Sequence, residues 1–147
     1  MIDTLFLFRP VLNGAEIREY AATLGFEDSQ LKNNFHVTLA FSKTPVDWDN
    51  PVFQTKNTED TFTGGTRSLK RLEGDDSAVV LTFIARPLSQ RWGEMILAGA
   101  TWDFDDFVPH ITLATNSDVE LSGKPMFNGA IKLDWEFRQT VAGDINL

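Results

Sequence analysis

The sequence predicts a single domain of mixed strand and helix, spanning residues 1–147 and built from two copies of a strand-helix-strand unit. Three observations carry this expectation. The pentapeptide His-x-Thr-Leu-Ala occurs twice, as His36-Val37-Thr38-Leu39-Ala40 and as His110-Ile111-Thr112-Leu113-Ala114. Each copy closes a stretch of about thirty residues whose apolar spacing changes from strand to helix and back to strand. With 147 residues, 42% apolar and 23% charged, the chain has the size and composition of one globular domain with a real core.

Taken in order, Thr4 to Leu12 is apolar and rich in strand formers. Asn13-Gly14-Ala15-Glu16 then reads as a helix start, with Asn13 as N-cap and Glu16 three positions later. Ile17, Tyr20, Ala21 and Leu24 follow at helical spacing, and Gly25 supplies the stop. Phe35 to Phe41 alternates, which predicts Phe35, Val37, Leu39 and Phe41 on one face and His36, Thr38 and Ala40 on the other. The second unit repeats the order: a buried strand over Ala78 to Ile84, a helix from Pro87 to Gly99 opened by proline and closed by glycine, and a strand over His110 to Thr115. Between the units, Asp47 to Asp76 is polar and turn-rich, with Gly64-Gly65 and Asp75-Asp76 as breakers; strands are expected there without defined edges. Asn116 to Pro125 reads as a loop, and Ile131 to Phe137 alternates as a late strand.

Composition removes whole classes of function. Without cysteine there is no disulfide framework, no thiolate nucleophile and no metal site built on sulfur, and two histidines are too few for a poly-histidine centre. A net charge of −8 and a pI near 4.6 argue against tracking a long DNA or RNA backbone, which needs clustered Lys and Arg. A small anionic ligand remains compatible, since a local pocket of donors holds a phosphate on an otherwise acidic surface. No apolar run reaches membrane-spanning length and no basic segment precedes the first apolar run, so a cytoplasmic location is expected, with no membrane contact and no obligate protein partner.

Residues two apart in a strand share a face, so His36 with Thr38, and His110 with Thr112, each present an imidazole beside a hydroxyl. If the two units pair about a pseudo-twofold axis, the four groups surround one bound group. Phosphodiester cleavage needs a base for the attacking oxygen, an acid for the departing one, and donors for the oxygens where charge builds. Two histidines and two threonines supply all three, because an ordinary imidazole pKa of about 6.5 lets one ring be neutral while the other is charged. A single His-x-Thr is more often structural. With threonine and leucine each about a tenth of the chain, however, both histidines acquire the same continuation in only about one random sequence in 10⁴.

Paired His-x-Thr motifs on duplicated strand-helix-strand units resemble the two-histidine (2H) phosphoesterases. That resemblance implies an α+β, bilobal, pseudo-twofold fold in which antiparallel sheets form a concave cleft and helices pack outside. Two longer strings, His36 through Trp48 and Gly99 through His110, are similar to the phage anti-CBASS phosphodiesterases. The similarity implies a metal-independent hydrolase for cyclic di- and trinucleotide immune signals such as cGAMP, made by a phage and acting in the host cytoplasm. Its catalytic residues would be His36, Thr38, His110 and Thr112; which histidine is the base stays open.

Further candidates line up around this core. The resemblance makes Glu136 a nucleobase contact, since a carboxylate accepts from an exocyclic amine, with Trp135 beside it; the alternative is a solvated strand residue. Trp48, Trp102 and Phe8 are candidates for stacking on a base, against the alternative that they cap a core. Arg67, Lys70 and Arg71 form the one short basic cluster, either a phosphate rim or a solvated face. Ser42 and Asn116 each fall six residues after a motif histidine, on the same expected strand face. Three rival functions remain: an RNA 2′,3′-cyclic phosphodiesterase of the same superfamily, a nucleotide sponge that binds without cleaving, and a structural or virion protein.

Overall fold

The structure is a computed structural model that describes residues 1–72 and 77–141. In chain order its elements are β1 (Ile2–Pro10), α1 (Gly14–Ala22), β2 (His36–Asp47), a short 3-10 turn (Pro51–Phe53), β3 (Asp60–Phe62), β4 (Arg67–Arg71), β5 (Val79–Phe83), α2 (Arg86–Leu97), β6 (His110–Ala114), β7 (Ile131–Leu133) and β8 (Phe137–Gln139). Both expected units are present, as β1-α1-β2 and β5-α2-β6. Of the breakers expected between them, Gly64 and Gly65 turn the chain from β3 into β4 with positive φ, whereas Asp75-Asp76 lies outside the described residues.

In each unit the strands before and after the helix pair directly and antiparallel, and a third strand joins the outer edge of the first. The sheet orders are β2-β1-β8 and β4-β5-β6, with a separate β3-β7 ribbon. Each helix turns one face inward: Ile17 and Ala21 of α1, and Leu88 and Met95 of α2, join Leu5, Leu7, Val37, Leu39, Leu81, Ile111 and Leu113 in one apolar core. Gly25 (φ 102°) and Gly99 (φ 110°) follow the two helices in the left-handed region that the expected glycine stops require. Among the described residues no helix is long and apolar enough to cross a membrane.

Three local expectations change. Asn13 does precede α1, but its side chain does not cap it. The amide donates to the Ala130 carbonyl (2.6 Å) and Glu16 Oε2 (2.9 Å), and its oxygen accepts from the Lys132 N–H (3.0 Å), tying the helix start to β7. The alternating segment Ile131 to Phe137 is two strands in different sheets rather than one. β7 pairs with β3 and β8 with β1, and the chain changes sheets across Asp134 to Glu136. The alternation of β2 is also broken. Register places Leu7 opposite Ala40 but Phe8 opposite Thr38, so Leu39 is an extra residue at a β-bulge, and Phe41 rather than Ala40 shares the His36 face.

The same irregularity recurs in the second unit, where Val79 faces Ala114 and Val80 faces Thr112, leaving Leu113 as the extra residue. Both bulges therefore fall on the leucine of His-x-Thr-Leu-Ala. The repeated pentapeptide encodes a repeated backbone feature: after the His-Thr face, each strand buries leucine and alanine consecutively (Leu39 0%, Ala40 3%, Leu113 0%, Ala114 0%).

Candidate active site

What brings the two motif strands together is the segment leading into β2. Lys32 N–H donates to the Leu113 carbonyl and Thr115 N–H to the Gln30 carbonyl, both at 2.9 Å, so residues 30–32 run along the edge of β6 that β5 leaves open. β2 then begins beside β6. Val37, Leu39, Ile111 and Leu113 are all fully buried in the common core, so on each strand the face carrying the His-Thr pair is the one turned away from these residues.

The surroundings of the two pairs differ. In the first sheet, cross-strand neighbours share a face, which sets Phe8 beside Thr38, Phe137 beside Phe8, and Phe6 beside Phe41. The His36 ring meets Phe6 and Phe8 edge-on at centroid distances of 5.9 and 5.7 Å, and Phe8 stacks with Phe137 at 6.1 Å. Thr38 is 2% exposed, and among the described residues its Oγ1 has no hydrogen-bond partner. The second sheet is polar at the matching positions. One cross-strand row runs Ser68, Thr82, His110, with the Ser68 and Thr82 hydroxyls hydrogen-bonded to each other; the next runs Lys70, Val80, Thr112. His110 Nδ1 lies 2.9 Å from the Val108 carbonyl, which only accepts, so Nδ1 is the nitrogen that carries the proton in this contact.

A cavity of about 240 Å³ opens beside His110, walled by Val80 and Thr82 from the sheet and by Trp102, Phe104 and Val108 from the loop that enters β6. That loop is fastened across to β2. Buried Ser42 accepts the Thr101 N–H (3.0 Å) and donates to the Thr44 carbonyl (2.6 Å), while Lys43 pairs with Asp103 at 2.9 Å. The bulge at Leu39 turns Ser42 inward for this purpose, so it does not lie on the His36 face as simple alternation predicts. Asn116 has also left the strand face: it turns at φ 57° and offers its carbonyl to Gln30 Nε2 (2.7 Å).

The other expected ligand contacts separate. Phe8 and Trp102 stand beside His36 and at the cavity of His110 respectively. Trp48 lies behind the sheet: its Nε1 donates to the Thr4 carbonyl (3.1 Å), and Arg138 lies over its ring at 4.5 Å, so it caps the core. Trp135 is 46% exposed in the connection between β7 and β8. Glu136 is 6% exposed and occupied. Its two oxygens accept from Arg91 Nε and Nη2 and from the Lys56 N–H, each at 3.0 Å, so a nucleobase would have to displace a buried ion pair to reach it. Arg67 and Arg71 donate to carbonyls at Phe127, Gly129, Ser117 and Val119, and burial pulls the Arg67 pKa below its ordinary value. Of the basic cluster only Lys70, exposed in the Thr112 row, faces the site. Phe6, Phe137 and Phe104 are site-facing aromatics that sequence did not single out; for Phe137 the available signal was its parity along the late alternating segment.

A duplicated α+β fold with two His-x-Thr strands side by side is the arrangement expected from the resemblance to the two-histidine phosphoesterases. Accordingly, the crystal structure of Escherichia coli LigT complexed with 3′-AMP superimposes with a TM-score of 0.58 at 20% identity, over 99% of this chain and 91% of LigT. The chain belongs to the family described as anti-CBASS protein Acb1, which it matches over residues 3–146. Relatives described as "Anti-CBASS protein Acb1" include one from Sphingomonas paeninsulae, 38% identical over 146 residues, and one from Caulobacter sp. (strain RHG1), 34% identical over 132 residues. These alignments cover 95% and 86% of this chain but only 23% and 21% of the relatives, so the chain spans less than a quarter of the curated proteins it matches.

Proposed function

We propose that residues 1–147 form one metal-independent phosphodiesterase domain that opens 3′,5′-linked cyclic di- and trinucleotides such as cGAMP, removing the signal of CBASS defence on behalf of a phage. The observation that carries this reading is the pair of His-x-Thr strands, adjacent and backed by one core, in a chain of the anti-CBASS family. One histidine takes the proton of a ribose 2′-hydroxyl as that oxygen attacks the adjacent phosphorus. The P–O5′ bond breaks, the other histidine protonates the departing 5′-oxygen, and a 2′,3′-cyclic phosphate remains for hydrolysis by water. Thr38 and Thr112 donate to the nonbridging oxygens as charge builds there. His110 acts through Nε2, because the Val108 carbonyl holds the proton on Nδ1.

The test is incubation of purified protein, in excess EDTA, with 3′,3′-cGAMP and separately with an RNA 2′,3′-cyclic phosphate end, with products read by mass spectrometry. Acid–base assistance of about 10²–10⁴ per group sets the expectation that His36→Ala or His110→Ala lowers turnover by roughly 10³ while thermal unfolding stays near wild type. Either variant retaining near-normal turnover refutes the mechanism. Cleavage of the RNA end alone keeps the chemistry and discards the cyclic-nucleotide substrate. Binding without any cleavage makes the protein a sponge.

A further inference from the structure

The cavity beside His110 holds recognition chemistry that the four His and Thr side chains do not use. At about 240 Å³ it falls below the ~300–1,000 Å³ of pockets that enclose drug-sized ligands, so it fits one flat ring system and not a whole dinucleotide. Trp102 and Phe104 form its aromatic side, their rings edge to face at 5.8 Å, and Phe104 is 51% exposed. Its lining also carries two charged residues, Lys70 from the sheet and Asp106 from the incoming loop. Lys70 is level with Thr112 through the row Lys70-Val80-Thr112, whereas Asp106 precedes His110 in the incoming loop. The Thr112 and His110 rows alone are separated by roughly 7 Å along the strand, at ~3.3 Å per residue. Register thus sets Lys70 level with the threonine that would hold the phosphate oxygens, while Asp106 supplies a carboxylate to the same cavity from the loop. Alternation along β4 explains why Lys70 stands apart from its basic neighbours: Arg67 and Arg71 face the other way and are bound to carbonyls, while among the described residues Lys70 has no ion-pair partner.

The first sheet offers no counterpart. The position matching Lys70, one strand removed from the residue opposite the motif threonine, is Phe137, so the pseudo-twofold symmetry of the catalytic groups is broken in their surroundings.

We propose that this cavity is the subsite for one nucleotide of the substrate: the base stacks on Trp102 and Phe104 with its N–H donors toward Asp106, and a phosphate pairs with Lys70. The phosphodiesterase reading supplies the identity of the ligand, and the base fits because stacking on aromatic rings serves any nucleobase while one carboxylate selects for donors on its edge.

The test is calorimetric titration of a guanine–adenine cyclic dinucleotide lacking both 2′-hydroxyls, which has no internal nucleophile, into wild type, Phe104→Ala, Lys70→Ala and Lys70→Arg, at low and high salt. Both side chains are exposed, and thermal unfolding of each variant verifies that the fold is kept. Phe104→Ala is expected to weaken binding about tenfold at either salt, as one lost base–aromatic stack does. Lys70→Ala is expected to weaken it about fivefold at low salt and less at high salt, where screening already attenuates the contact, with Lys70→Arg restoring it. Wild-type affinity in Phe104→Ala or in Lys70→Ala overturns the subsite, as does failure of the wild type to bind. A chain that shows this binding pattern yet never opens the ribose form of the ring keeps the subsite and loses the phosphodiesterase reading; one that opens the ring while both alanine variants bind normally does the reverse.

Discussion

Removal of the Glu136 carboxylate separates a structural role from a ligand contact. The side chains of Arg91 and Glu136 are 5% and 4% exposed, and they meet through two hydrogen bonds of 3.0 Å. Arg91 also donates to the Val52 and Gln54 carbonyls, and Glu136 accepts the Lys56 N–H, so the pair joins α2, the segment after the 3-10 turn, and the start of β8. Glu136→Ala leaves a guanidinium buried with two carbonyls but no counter-charge, and leaves the Lys56 N–H without its carboxylate acceptor. Breaking a buried pair in this way costs about 3–5 kcal/mol. For a domain of this size each kcal/mol moves the melting temperature by roughly 2–4 °C, so Tm should fall by about 10 °C. The assay is thermal and urea unfolding, with turnover and KM measured well below both transitions, where the variant remains folded. Turnover and KM should then lie near wild type. The double variant Arg91→Met, Glu136→Leu should recover most of the lost stability, since it removes both charges and restores apolar volume. A Glu136→Ala protein that melts with the wild type but shows a raised KM refutes this reasoning and returns Glu136 to the ligand.

Thr38→Val replaces a buried hydroxyl that has no partner among the described residues; turnover should drop about 10²-fold, as for a lost oxyanion donor, while stability in urea rises by about 1 kcal/mol. An activity loss accompanied by a lower unfolding midpoint would show that the hydroxyl serves the fold. Ser42→Ala unties the loop carrying Trp102 and Phe104 from β2, and KM is expected to rise severalfold with kcat nearly unchanged, measured by initial rates. Leu113→Ala empties a fully buried site at the bulge and should cost about 2–5 kcal/mol by denaturant titration; a smaller cost would mean that the bulged backbone relaxes into the space.

The sequence by itself determined the duplicated plan, because periodicity, proline and glycine act locally and each unit repeats them. β1, α1, β5, α2 and β6 were all legible to within a few residues, as were the start of β2, the inward faces of Val37, Leu39, Ile111 and Leu113 and the pairing of each motif histidine with a threonine; that β2 runs on from Phe41 to Asp47 was not, because its later residues pair with the start of β1 without an apolar alternation of their own. The bulges at Leu39 and Leu113 were not, since an extra residue is defined only against the strand opposite; that single displacement moved Phe41 to the His36 face and turned Ser42 inward. Likewise, alternation across Ile131 to Phe137 is the same whether the chain stays in one sheet or crosses to another, and only pairing with β3 and β1 separated β7 from β8. Charge needed the same information. Glu136, Arg67, Arg71 and Lys70 are alike as polar strand residues, but tertiary neighbours bind the first three in place and leave Lys70 exposed on the site face. A side chain's availability depends on what packs against it from distant parts of the chain, and in this fold those contacts are made across strands that local sequence cannot pair.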